Sequence, residues 1–271
     1  LLREARSGAL YKPEVLAAQV ERMIADPRSL HFATGFTHQW LLLDRLDLFQ
    51  FDFRNFPKFD ESTRVAARGE VYHTFRTLLT ENLDARKLLK SEFVVINSVM
   101  ADYYGLSVDE KKRPITGMNF RKVMLPGDSP RGGLLGMACI LAMGSNGANT
   151  SPVERGAWVL RKLVNEPPPP APANVPQLAR LAEKKLNARE RLAEHQEQAQ
   201  CAQCHRRIDP IGYGLENFDA AGLWREVDTF KPGETLRRDG AGKLSNATYP
   251  IDASGVFHRG PQFNNYFELR E

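Results

Sequence analysis

Cys201-Ala202-Gln203-Cys204-His205 closes a charged, helix-forming run, Gln177–Gln200, and leads at once into Arg206-Arg207-Ile208-Asp209-Pro210. The C-x-x-C-H spacing has a physical reason. Two cysteines three apart lie on one helical turn, so each thiol can add to one vinyl group of a haem, and the next residue brings its imidazole to the iron from the proximal side. The motif predicts one covalent haem c, attached through Cys201 and Cys204 and ligated by His205. A structural zinc would need two further ligands, usually a second close pair, and the sequence has no second C-x-x-C and no H-x-x-x-H. A dithiol redox motif would need a thioredoxin-like βαβ context, which the flanks lack. The remaining cysteine, Cys139 in Gly136-Met-Ala-Cys-Ile140, reads as a buried, inert thiol.

Downstream, Asp209-Pro210 is expected to end the helix, and Gly212 and Gly214 to let backbone approach a porphyrin closely. Ile211, Tyr213, Leu215, Phe218 and Trp224 are candidates for an apolar wall that excludes water and raises the iron's potential. Arg206, Arg207 and Arg225 are candidates to pair with propionates. Asp209, Glu216 and Asp219 read as turn or cap residues rather than catalytic ones. Extended pieces are expected at Trp224–Asp228 and Tyr249–Ile251.

The sixth iron ligand separates electron transfer from catalysis. All six methionines precede the motif, so no methionine downstream of it in this chain can serve. His195 stands ten residues before His205, about 15 Å along an unbroken helix, too far for both rings to meet one iron. A bend near Gln198–Gln200 would let the chain wrap the haem edge and bring His195 to the distal side. His258 in Phe257-His-Arg-Gly260, His73, Met137 and Met143 are the other candidates, and an open sixth position is the last.

Upstream, residues 166–176 hold six prolines and read as a polyproline II spacer, in preference to a ligand for a proline-binding domain. Ser151-Pro-Val-Glu154 has the signature of a helix start, with a capping serine and proline at the first helical position, and that helix should run to Asn165. A small-residue helix is expected over Gly133–Met143. The first 105 residues read as helical: from Pro13 with Leu16, Val20, Met23 and Ile24 on one face; over His31–Leu46 with Phe32, Phe36 and Trp40; over Ser62–Glu81; and over Lys87–Tyr104, stopped by Gly105. Asp47–Phe59 reads as a packed loop and Phe120–Leu125 as a short strand. The fold class expected is mainly α: a helical module over residues 1–125, then a loop-rich c-type haem module over 126–245, with 246–271 the start of a following module.

With 42% apolar residues, the 271-residue chain can bury a sizeable core. Its net charge of +4 comes from lysines and arginines interspersed with acids, with no basic stripe alternating with aromatics, which argues against nucleic-acid binding. No apolar run approaches the roughly 20 residues of a membrane span; Gly132–Gly144 is the longest candidate and too short. The start at Leu1, without methionine, suggests a segment of a longer chain or a mature form whose leader has been removed.

Several runs together resemble one family. Arg131-Gly-Gly-Leu-Leu135, Ser151-Pro-Val-Glu-Arg-Gly-Ala-Trp-Val-Leu160, the proline run, Arg189-Glu-Arg-Leu-Ala-Glu-His195, Cys201–His205 and Asp209–Arg225 resemble the large multidomain planctomycete-type cytochrome c proteins. Residues 10–105 resemble the helical module preceding the haem module there, and Asp252-Ala-Ser-Gly255 the start of the module after it. The resemblance implies haem attachment by Cys201, Cys204 and His205, and a histidine in the place of His195; it supplies no substrate. The function expected is electron transfer within a larger periplasmic or cell-surface redox protein, with a redox protein or a neighbouring haem domain as partner. The alternative is a peroxidase- or oxidase-like enzyme with an open or exchangeable sixth site. Since thioethers to haem form outside the cytoplasm, an export signal is expected upstream of Leu1.

Overall fold

The computed structural model describes residues 1–170, 188–229, 248–257 and 260–271. About 51% of the chain is helical and the strands are few and short, so the fold is mainly α. The chain divides into two compact units: one of residues 1–45 and 61–137, the other of residues 46–60 and 138–271.

The first unit begins with α1 (Leu2–Arg6), α2 (Pro13–Ala25) and α3 (Ser29–Leu41). Pro13 opens α2 at a position where its missing N–H costs nothing. The helix expected to reach Leu46 stops at Leu41 instead. Leu42 takes a left-handed conformation (φ 60°, ψ 48°), and a short tight turn of helix over Leu43–Asp47 follows. The long helix α4 (Glu61–Thr80) packs on α3, with Phe36 stacked on Phe75 at 5.2 Å between ring centres.

Lys87–Tyr104 is not one helix. Phe93-Val-Val-Ile96 forms β1, antiparallel to β2 (Arg121–Met124) with Val94 opposite Val123; Lys87 and Leu88 end a short tight turn of helix, Ala85–Leu88, and Ser98–Tyr104 is α-helical (α5). The four residues of β1 are all buried, so they show no alternation; β-branched and aromatic side chains favour the strand. Asn97 caps α5 by accepting from the Met100 N–H, and Gly105 ends it at φ +71°, as expected. The glycine pair after Arg131 has a packing reason. Gly132 and Gly133 both have positive φ, and a Cβ on them would lie 2.0 Å from the Ser91 carbonyl and 2.1 Å from that of Leu89.

One buried carboxyl makes this unit sensitive to pH. Glu70 on α4 is wholly buried; its Oε2 accepts from the Tyr104 hydroxyl at 2.5 Å, and Oε1 has no hydrogen-bond partner among the described residues. Burial pushes its pKa up to about 7, against the pull of the Tyr104 hydrogen bond and the Arg131 charge. The folded state then holds a proton that the unfolded chain releases near the ordinary glutamate value. Stability therefore falls as pH rises from about 4.5 to about 7, by roughly 2 kcal/mol between pH 5 and pH 7. Urea titrations at the two pH values should show this loss in the wild type and none of it in Glu70→Gln. A slope that survives the substitution would assign it elsewhere.

The second unit is built on a helix pair. The segment expected as one helix over Gly133–Met143 is a tight turn at Leu134–Gly136 followed by α6 (Ala138–Met143), whose six residues are all buried, Cys139 among them. Helix α7 (Pro152–Val159) starts as the sequence predicts, with the Ser151 Oγ accepting from the Glu154 N–H at 3.2 Å. It widens to a π turn over Leu160–Val164 and ends at Asn165 in a left-handed conformation. Of the spacer, Glu166–Pro170 carries no helix or strand, and its remainder lies outside the described residues. Next come α8 (Ala188–Gln196), α9 (Ala199–Tyr213), strands β3 (Val227–Thr229) and β4 (Thr248–Pro250) paired antiparallel, the small pair β5 (Gly255–Val256) and β6 (Gln262–Phe263), and α10 (Tyr266–Leu269). No helix of the described residues is long and apolar enough to cross a membrane.

Candidate functional site

All of the motif lies on α9, which is packed closely against α7. The contact depends on two glycines. A Cβ on Gly156 would stand 2.0 Å from the Ile208 carbonyl, and one on Gly212 would stand 1.9 Å from the Pro152 carbonyl. Gly212 thus admits protein backbone, and Gly214 lies against Leu269 and Phe263, so the expectation that these glycines clear space for a porphyrin is corrected. Nor does Asp209-Pro210 end the helix. Pro210 is incorporated in α9, which runs on to Tyr213 because Ile211, Gly212 and Tyr213 are buried. Their packing outweighs the hydrogen bond that proline cannot donate.

Cys201 and Cys204 are free thiols one turn apart, the first buried and the second half-buried. His205 follows with its side chain 17% exposed and points Nδ1 at a wholly buried Asp209, 2.9 Å from Oδ1 and 3.0 Å from Oδ2. A carboxylate only accepts, so Nδ1 carries the hydrogen, and Nε2 is the nitrogen that a metal would take. Asp209 is held from its other side by Gln196 of α8, whose Nε2 donates to Oδ2 at 2.9 Å. Asp209 was expected in a turn or cap; it is instead the partner of the motif histidine. The spacing His205-x-x-x-Asp209 would have shown this on a continuous helix.

Between α8 and α9 the chain breaks at Glu197-Gln198, with Gln198 extended (φ −80°, ψ 117°) as the residue that starts α9. A break between His195 and Cys201 is what a distal role for His195 requires. The backbone of His195 belongs to α8; its side chain, like His258, lies outside the described residues. Arg189 fastens α8 to the rest, its guanidinium 4.1 Å from the Tyr213 ring centre and donating to the carbonyls of Asp252 and Ser254. Burial pushes the Tyr213 phenol far above its usual range, with the Asp209 charge adding to the effect.

Of the expected apolar wall, Ile211, Tyr213, Leu215 and Phe218 are buried and Trp224 is partly so. Phe218 and Trp224 pack edge to face with each other, and both do so with Tyr266. Arg225 pairs with Glu216 and Asp228, and Arg207 with Glu166 at 2.7 Å; Arg206 is exposed. His73 stacks flat on Phe120 at 4.3 Å, and Met137 and Met143 are buried.

The residue that sequence reasoning missed is Arg155. It is wholly buried on α7 and donates to the carbonyls of Leu141, Leu215, Phe218 and Asp219 and to Glu216 Oε1. Burial pulls its pKa down to about 10, against the opposing charge of Glu216. Glu216, expected in a local role, spans the unit by joining Arg155, Arg225 and Thr150. Asp219 does make a turn, accepting from the Ala221 and Leu223 N–H groups. Arg155 thereby clamps the segment after α9 to α6 and α7.

Among the described residues no group of three or more His, Cys, Asp and Glu side chains is placed to hold a metal ion by themselves. Two thiols and a tautomer-fixed imidazole on consecutive turns are instead the donor set that a covalently attached haem takes, and they fit it.

Residues 131–228 match the family model PSCyt3, a protein of unknown function (DUF1588), and residues 1–106 match PSD4, a protein of unknown function (DUF1592). Both families are associated with cytochrome c-like proteins. No curated protein and no solved structure matches the chain.

Proposed function

We propose that the chain joining these two domains is a c-type cytochrome that relays electrons within a larger periplasmic or cell-surface redox protein. The observation that carries this reading is the arrangement on α9: Cys201 and Cys204 free and one turn apart, and His205 held at Nδ1 so that Nε2 is the metal-facing nitrogen. Bound there, a haem supplies one-electron chemistry between ferric and ferrous iron. The thiols of Cys201 and Cys204 would fix it against loss and His205 would ligate it, while Ile211, Tyr213 and Phe218, all buried, are the residues we assign to its apolar surroundings. Its partner in this reading is a redox protein or a neighbouring haem domain.

His195 is the residue we assign as the second iron ligand beside His205, a reading supported by the break at Glu197-Gln198. Held by both histidines, the haem would be low-spin, as suits a relay. Replacing His195 by alanine should turn the spectrum high-spin and open the iron to carbon monoxide. An unchanged low-spin spectrum in His195→Ala would move the assignment to another residue. A wild type that is already high-spin and reacts quickly with peroxide would favour the peroxidase- or oxidase-like enzyme instead.

A further inference from the structure

We propose that Asp209 is a positioning residue for His205 and, clamped by Gln196, sets the reduction potential of the site; this rests on the haem reading above. Three observations meet at one carboxylate. It is wholly buried, both of its oxygens lie within 3.0 Å of His205 Nδ1, and Gln196 donates to Oδ2 across the break between α8 and α9. Arg206 and Arg207, the nearest cations in the sequence, are directed elsewhere or exposed: Arg207 pairs with Glu166. Among the described residues the groups hydrogen-bonded to Asp209 are the neutral Gln196 amide and the His205 ring, so the buried carboxylate keeps a strong negative field on that imidazole.

That group is the N–H of the proximal imidazole. An anionic acceptor draws the Nδ1 hydrogen, increases electron density at Nε2, and makes the imidazole a stronger donor to iron. A stronger donor favours the ferric over the ferrous state, so Asp209 lowers the potential. Gln196 fixes the rotamer of the carboxylate, which ties the potential to the position of α8. A purely structural Asp209 would stabilise the helix pair and leave the iron unaffected.

The test is the midpoint potential of the haem-loaded chain and of two variants. Asp209→Asn keeps shape and a hydrogen-bond acceptor while removing the charge. At a fixed solution potential its ratio of reduced to oxidised protein should rise about tenfold, a shift of roughly 59 mV for one electron. Gln196→Leu should move the ratio in the same direction by less. Covalent haem content should stay at the wild-type level in both. A wild-type potential in Asp209→Asn with full haem content overturns the proposal. If Asp209→Asn yields no holoprotein, Gln196→Leu decides, and an unshifted potential there overturns it equally. A wild type without covalent haem would overturn the haem reading itself, a distinguishable result.

Discussion

Replacing Arg155 by methionine should destabilise the second unit by about 3–5 kcal/mol, a large share of the 5–15 kcal/mol that holds a typical domain. Methionine fills much the same volume, so the loss isolates the polar clamp from packing. The substitution strands the Glu216 carboxylate, 8% exposed, with Arg225 as its remaining cation, and takes the guanidinium donor from the carbonyls of Leu141, Leu215, Phe218 and Asp219, of which Leu141, Leu215 and Asp219 keep the backbone N–H of Gly144, Phe218 and Gly222. The stranded carboxylate accounts for most of the loss, and each charge-assisted hydrogen bond removed from a carbonyl adds to it, partly recovered by relaxation. Arg155→Lys should also be costly, because an ammonium has three donors and no planar fork to reach carbonyls on two sides. The double variant Arg155→Met, Glu216→Gln should be less unstable than the sum of the singles, since it removes the stranded charge. Urea unfolding followed by the fluorescence of Trp158 and Trp224 would read these changes. A loss below about 1 kcal/mol in Arg155→Met would mean that the clamp contributes little net stability.

The second large effect concerns attachment. Cys201→Ala should lose most stable holoprotein, and Cys201→Ala with Cys204→Ala should lose all covalent haem. Each change removes one sulfur, buried at Cys201 and half-buried at Cys204, and alanine suits a helix interior. The apoprotein should therefore keep its helical circular dichroism, which separates failed attachment from failed folding. Cys139→Ser is the control: Cys139 lies on α6, outside the motif, and its replacement should leave haem content unchanged. Full haem content in the double variant, or equal loss in Cys139→Ser, would contradict the assignment.

How much of this was legible in the sequence differs from element to element. Helices α2 and α4, the Ser151 cap, the Gly105 stop and the strand over Arg121–Met124 follow from local patterns, because capping, termination and period act within a few residues. Strand β1 did not, since a fully buried run such as Phe93-Val-Val-Ile96 has no alternation and its pairing partner lies 25 or more residues away. Pro210 misled for a related reason: local chemistry says stop, and burial of the following turn says continue. The same misreading hid the His205–Asp209 pair, since an aspartate assigned to a helix end is assumed to serve the backbone. Arg155 was invisible because a single arginine amid Ser151–Leu160 looks like a solvent-facing charge until five acceptors are seen around it. The placement of Cys201, Cys204 and His205 on one helical turn was legible in full, as it depends on spacing along one helix and on nothing distant.

The most direct test of the central claim is the mass of the denatured protein after acid-acetone extraction, made on protein produced with export and haem maturation in place. The account predicts that the colour stays with the polypeptide, that the mass exceeds the bare chain by one haem, and that peptide mapping puts the added mass on the segment containing Cys201 and Cys204. Colour passing wholly into the solvent, with the chain at its bare mass or carrying tightly bound zinc, would contradict it.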